Sequence, residues 1–191
     1  MADDVEQAGV AADPVQVYVD SLFAALGSRD ALEVLDETPA ALRRAASGLS
    51  AGQLSTVEAP GKWSVRQVVQ HLADSELVGA FRFRMILAHD RPELPGYDQD
   101  LWADRLRYQE ADLEAALHDF ATLRAGNLRL FRRLTPDGWQ RGMLHSERGE
   151  EKLEKIVRMY AGHDLVHLRQ IERIRRAIGP GGATGSRAPA S

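Results

Sequence analysis

Between residues 14 and 178 the apolar residues recur at steps of three and four, and nowhere do they alternate over a sustained stretch. That period fits α-helices with one buried stripe and leaves few or no strands. Pro14 can open a first helix reaching about Leu26, with Gly27 as its stop. A second segment, 28–49, places Leu32, Leu35, Leu42, Ala46 and Leu49 at helical spacing, with Pro39 as a kink or a fresh start. Ser64-Val65-Arg66-Gln67 has the form of a capping box, and Val65, Val68, Val69, Leu72, Phe83, Ile86 and Leu87 then share a face to about His89. Pro92, Pro95 and Gly96 break this helix, and a short helical piece is expected over 98–108. Leu113, Leu117, Phe120, Leu123, Asn127, Phe131 and Leu134 mark another long helix, closed by Thr135-Pro136-Asp137-Gly138. An irregular stretch over 139–149 leads to the last helix, whose core face is Leu153, Ile156, Val157, Tyr160, Ile171, Ile174 and Ile178. Four long amphipathic helices with short connectors predict an all-α antiparallel four-helix bundle with one short extra helix.

The bundle domain is expected to occupy 14–178. Residues 1–13 are small and acidic, without a period, and read as a flexible N-terminus. Residues 179–191 are rich in Gly, Pro and Ser and read as a disordered C-terminal tail. A length of 191 residues suits one domain with a real core. The absence of cysteine excludes disulfides, zinc–thiolate sites, iron–sulfur clusters and a cysteine nucleophile. With 24 basic against 28 acidic residues and dispersed arginines, nucleic-acid binding has no electrostatic footprint. No apolar run is long enough to span a membrane, and the N-terminus is acidic where a signal peptide would be basic. A cytoplasmic protein acting on a small molecule is the expectation, as a monomer or a homodimer.

Two of the six histidines, His163 and His167, lie four apart on the last helix, which puts both imidazoles on one side, a turn apart. That spacing lets two nitrogens hold one metal ion, although such a pair can equally be packed in a core. Two protein ligands are too few, and His71 is the best candidate for a third. On a helical wheel His71 lies off the apolar centre beside Ser75, Val78 and Arg82, so periodicity alone reads it as exposed. His118 reads as solvated and His89 as a helix-end residue, while His145 in the irregular loop could lean over a site as proton donor or acceptor. Two acids, Glu76 and Asp164, fall where apolar residues are expected. Each either pairs with one of the arginines or accepts a hydrogen bond from a ligand histidine and so orients it. Arg82, on the His71 side of its helix, either holds a substrate carboxylate or sits at the surface.

Three ordered segments carry a family resemblance. Gly61-Lys62-Trp63-Ser64-Val65-Arg66-Gln67-Val68-Val69-Gln70-His71-Leu72-Ala73-Asp74-Ser75, Pro95-Gly96-Tyr97-Asp98-Gln99-Asp100-Leu101-Trp102-Ala103 and Gly162-His163-Asp164-Leu165-Val166-His167-Leu168-Arg169-Gln170-Ile171 resemble the motifs of the DinB/YfiT-like superfamily. The resemblance implies a four-helix bundle with a metal held by three histidines, which by motif position are His71, His163 and His167. It also implies either a metal-dependent hydrolase or a thiol S-transferase using an external low-molecular-weight thiol such as bacillithiol or mycothiol. The sequence departs at Glu76, where a bacillithiol-transferase branch has histidine, and residues 1–27 have no counterpart. A three-histidine site leaves a divalent ion, Zn²⁺ or Ni²⁺ first and Mn²⁺ or Fe²⁺ after them, with open positions. The competing class is a non-catalytic, stress-response bundle that binds a metal or a small molecule.

Overall fold

The computed structural model describes residues 13–178, so the expectations for both tails lie outside the described residues. Helix α1 (Pro14–Leu26) starts as expected: the Asp13 side chain accepts the Val15 N–H and Pro14 occupies the first turn, where its missing N–H costs nothing. Gly27, at φ 59°, ends it. Helix α2 (Ala31–Ala46) is capped by Asp30, which accepts the Glu33 N–H at 2.9 Å. Pro39 lies inside α2 without ending it. A proline at 39 removes the N–H that would bond to the Leu35 carbonyl. Arg124 supplies the missing donor, its Nη1 lying 3.0 Å from Leu35 O.

Helix α3 (Ala51–Ser55) is a single capped turn that the periodicity did not show. Helix α4 (Val65–Ala88) opens with the predicted capping box: Ser64 Oγ accepts from the Gln67 N–H, and Gln67 Oε1 accepts from the Ser64 N–H. The predicted helical piece is α5 (Gln99–Arg105) followed by a 3₁₀ turn (Tyr108–Glu110). Helix α6 (Leu113–Phe131) is followed by the short α7 (Pro136–Gln140), and α8 (Leu153–Ile178) closes the domain.

Four helices, α2, α4, α6 and α8, form the bundle. Arg66 Nη1 reaches Ala111 O near the starts of α4 and α6, and Phe83 packs edge-on to Phe131 near their ends, so these two run parallel. Arg175 on α8 donates to Ala45 O on α2, and Leu35 shares a cluster with Ile156 and Val157, so that pair is parallel too. Arg43 meets Glu114, and Tyr160 meets Ser75, so α2/α6 and α4/α8 are antiparallel neighbours. Two helices thus run each way, in the order up, down, down, up. Parallel neighbours require one connection that travels the length of the bundle, and residues 89–112 supply it. Helix α1 lies along α8, where Gly162 lets the Leu22 backbone approach so closely that a Cβ would stand 2.2 Å from Leu22 O.

The interior of the bundle holds two large apolar clusters, and a smaller one of Val19, Leu22 and Met159 joins α1 to α8. One large cluster joins Leu35, Phe83, Ile86, Leu128, Phe131 and Val157 at one end, and the other joins Leu42, Val69, Leu72, Leu117, Phe120 and Ile171. Between them lies a buried polar layer of Thr38, Glu76, Arg124, Asn127 and Asp164.

One expectation needs correcting. The stretch 139–149 is not irregular, and the described residues include a small sheet: β1 (Glu93–Leu94), β2 (Gly142–His145) and β3 (Gly149–Lys152). Strands β2 and β3 form an antiparallel hairpin, while β1 pairs parallel to β2, with Leu94 opposite His145. Strands of two to four residues are too short to display a period of two. The sheet ties the long crossover to the hairpin and fixes His145.

Candidate metal centre

Helices α4 and α8 bring His71, His163 and His167 together. His71 Nε2 lies 3.1 Å from His163 Nε2, and His163 Nε2 lies 3.1 Å from His167 Nε2. All three donor atoms fall within 4.8 Å of one another. Because α8 has 3.6 residues per turn, His163 and His167 stack on the side that faces α4. His71 is only 1% exposed, which corrects its reading as a surface residue. The wheel failed because α4 is covered over a wide arc. Trp63 lies 4.8 Å from the His71 ring, centroid to centroid, and α8 lies beyond it.

Protons alone do not satisfy this cluster. His167 Nδ1–H donates to Gln170 Oε1 at 2.8 Å, which leaves Nε2 with its lone pair. If His163 Nε2–H donates to that lone pair, it has none to offer His71. One of the two close nitrogen contacts is therefore unfavourable in any neutral arrangement, whereas a cation at the centre accepts all three lone pairs. Zinc–nitrogen bonds of about 2.0–2.1 Å at tetrahedral angles place neighbouring nitrogens about 3.4 Å apart, close to the spacing found here. The residues fit a divalent metal.

Burial keeps the imidazoles neutral, the form that ligates metal. It pushes His71 down to about 3, helped by the charge of His167. It pushes His167 down to about 4, partly opposed by the Gln170 hydrogen bond. His163 is held well below its ordinary value by burial and then by its two histidine neighbours. Trp63, in the first motif but given no role by sequence reasoning, stacks at 12° on His167 with ring centroids 6.4 Å apart. Gln170 and Tyr160, whose ring centroid lies 6.5 Å from that of His163, were likewise missed; only the helical spacing from His163 and His167 could have flagged them.

The proposed orienting role of Glu76 and Asp164 is corrected in favour of the ion-pair alternative. Arg124 Nη2 donates to Glu76 Oε2 at 2.8 Å, and Nη1 donates to Asp164 Oδ2 at 2.6 Å. Asn127 Nδ2 donates to the other oxygen of Glu76 at 2.8 Å. In this buried layer a carboxylate gains more from a guanidinium than from a neutral imidazole. Gln170, not Asp164, holds His167.

His71 and His163 open onto a cavity of about 470 Å³, whose lining also includes Ser75, Arg82, Tyr97, His145 and Tyr160. His145 and Arg82 thus share a cavity with two of the three histidines, and both are buried rather than exposed. His118 stands on an outer face, and His89 caps the C-terminus of α4.

Among the described residues, no helix is long and apolar enough to cross a membrane. A family model described as the DinB superfamily matches residues 34–171. The chain is 33% identical over 149 residues to "Putative metal-dependent hydrolase YfiT" of Bacillus subtilis, covering 78% of this chain and 84% of that protein. A Bacillus licheniformis relative of the same description is 34% identical over 148 residues, with coverages of 76% and 83%. The solved structure of YfiT from Bacillus subtilis, described as a probable metal-dependent hydrolase with an unusual four-helix bundle topology, matches with a TM-score of 0.73. That match has 28% identity and covers 91% of this chain and 93% of the other. With its bundle, its histidine cluster and a family match spanning most of its length, the chain belongs to the DinB superfamily.

Proposed function

We propose that His71, His163 and His167 hold one divalent metal ion and that the chain is a metal-dependent hydrolase acting on a small molecule in the adjoining cavity. The observation that carries this reading is the convergence of three Nε2 atoms beside a cavity, two of them 3.1 Å from the third and all within 4.8 Å, in an arrangement protons cannot satisfy. The relatives' description as metal-dependent hydrolases supports it. When bound, a divalent ion supplies Lewis acidity, which makes water nucleophilic near neutral pH and polarises a carbonyl or phosphoryl oxygen. Zinc and nickel suit three imidazole nitrogens best.

The protein's own residues do the remaining work. Gln170 fixes the tautomer and ring plane of His167, and Trp63 packs against the rings of His71 and His167. Arg124 occupies both Glu76 and Asp164, so neither carboxylate is free for proton transfer. His145 Nδ1 accepts the Glu147 N–H at 3.1 Å, so the neutral ring carries its proton on Nε2. His145 lines the cavity and carries a donor without a partner at Nε2, an atom buried beneath the cavity surface, so it does not serve as a base through Nε2.

Transfer of an external thiol to an electrophile is the second reading. The lack of any cysteine means that such a thiol enters from outside, and the cavity gives it access to the histidines. We infer a cytoplasmic setting, where low-molecular-weight thiols and metabolite-sized substrates are available.

Metal analysis of untagged protein, followed by metal titration of alanine variants, tests the proposal. His71→Ala, His163→Ala and His167→Ala should each weaken binding by more than the roughly 100-fold that loss of an outer partner can cost. His118→Ala should bind normally. Wild-type affinity in His71→Ala would overturn the three-histidine site. Turnover with and without added thiol then separates hydrolysis from transfer.

A further inference from the structure

We infer that Arg82 and His145 form a carboxylate-binding subsite in the cavity, so that the substrate has an anionic end at Arg82 and its reacting group at the three histidines. The inference rests on the preceding reading for the place of reaction only. Its anion site stands on separate observations.

Arg82 is 8% exposed, yet no carboxylate among the described residues lies within ion-pair distance of it. Its Nη2 donates to Pro95 O, a neutral partner. The contrast is with the more deeply buried Arg124, which has two carboxylates. A buried, unpaired charge is costly to maintain, and one that lines a cavity beside the candidate centre is poised to receive a counter-ion. The acids near it are otherwise placed. Asp98 and Glu147 also line the cavity: Asp98 Oδ1 caps α5 through the N–H groups of Asp100 and Leu101, and the exposed Glu147 lies against Gly96. Glu151 is held by Arg148 through Nε and Nη2.

His145 supplies the second observation. The side chain is 2% exposed, and its Nε2, which carries the proton, has no hydrogen-bond partner. A buried donor without an acceptor is rare in folded proteins and calls for an explanation. The atom itself has under 1 Å² of accessible surface, so a small shift of the ring toward the cavity it lines is what lets an oxygen of a bound anion satisfy it. One guanidinium and one neutral donor match a flat monoanion better than a phosphate dianion. His71 and Arg82 are eleven residues apart on α4, about three turns, so both lie on one side of the helix and line the same cavity. A cavity of about 470 Å³ admits a small-molecule ligand.

The test is an NMR titration of the metal-free full chain with hexanoate, its neutral isostere hexanamide, and inorganic phosphate. Hexanoate should bind at least tenfold more tightly than hexanamide. Arg82→Gln should remove that preference, His145→Phe should reduce it several-fold, and Arg82→Lys, which keeps the charge, should retain part of it. On zinc-loaded protein, 6-mercaptohexanoate should outbind 6-mercaptohexanol tenfold, and Arg82→Gln should abolish the difference. Equal binding of hexanoate and hexanamide to wild-type protein, or an unchanged preference in Arg82→Gln, overturns the subsite. Phosphate displacing hexanoate at lower concentration overturns its assignment to carboxylates. If Arg82→Gln does not fold, the wild-type comparison and Arg82→Lys still decide. Absence of zinc binding would refute the metal centre while leaving the metal-free titration to judge the anion site.

Discussion

Replacing Arg124 with methionine isolates the polar layer that separates the two halves of the core. The guanidinium serves three buried acceptors: Glu76 Oε2 at 2.8 Å, Asp164 Oδ2 at 2.6 Å and Leu35 O at 3.0 Å. Methionine fills much of the same volume but offers no donor. Breaking a buried ion pair by removing one partner costs about 3–5 kcal/mol, because the other charge stays behind uncompensated. Here two carboxylates are stranded and the carbonyl orphaned by Pro39 loses its donor, which argues for the upper end. Asn127 still donates to Glu76 at 2.8 Å and limits the damage on that side. We expect a loss of about 5 kcal/mol in urea unfolding at pH 7, against a typical total of about 5–15 kcal/mol. The loss should depend on pH. Burial already raises the Asp164 carboxyl, and Arg124 is the main influence pulling it back, so the variant's folded pKa lies further above the unfolded value. Between those two values the folded variant holds the proton more tightly than the unfolded chain, so stability falls as pH rises. The deficit is therefore full at neutral pH and shrinks as the solution is acidified toward pH 5. Adding Glu76→Gln and Asp164→Asn should recover more than half of it. A loss below about 1 kcal/mol, or a triple variant no more stable than the single one, would refute the argument.

The histidine cluster gives metal-free protein an acid sensitivity of its own. The folded pKa values of His71 and His167, about 3 and about 4, lie below the unfolded value, so the unfolded chain binds more protons below about pH 6.5. Stability should decline as pH falls from there, by up to about 1.4 kcal/mol per pH unit for each histidine, and His71→Phe should flatten the slope. Flat stability between pH 7 and 5 would contradict it. Gly162→Ala should destabilise by about 1–3 kcal/mol in thermal or urea unfolding, since its Cβ would meet backbone rather than a movable side chain. Ser64→Ala should cost about 1 kcal/mol through loss of the α4 cap, with retained stability counting against the capping box.

The long helices were legible in the sequence because their cause is local. A period near 3.6, Pro14 as an opening, the Ser64–Gln67 capping box and Gly27 as a stop define elements without reference to the rest of the chain, whereas the caps Asp13 and Asp30 were not read. The His163/His167 pair was legible for the same reason, since one helix sets their separation. His71 entered through its motif only, because its burial depends on Trp63 and α8, neither of which the periodicity of α4 contains. The sheet was hidden because its strands are shorter than the pattern that reveals strands, and β1 pairs with β2 across about fifty residues. Pro39 was ambiguous until the fold brought Arg124 to the carbonyl it leaves unbonded. The partners of Glu76 and Asp164, the tautomers of His145 and His167, and the unpaired state of Arg82 depend on which side chains meet across helices. Local sequence determines which segments coil and which face each one buries. Only tertiary packing decides which charges are neutralised inside, and so which ones remain available for a ligand.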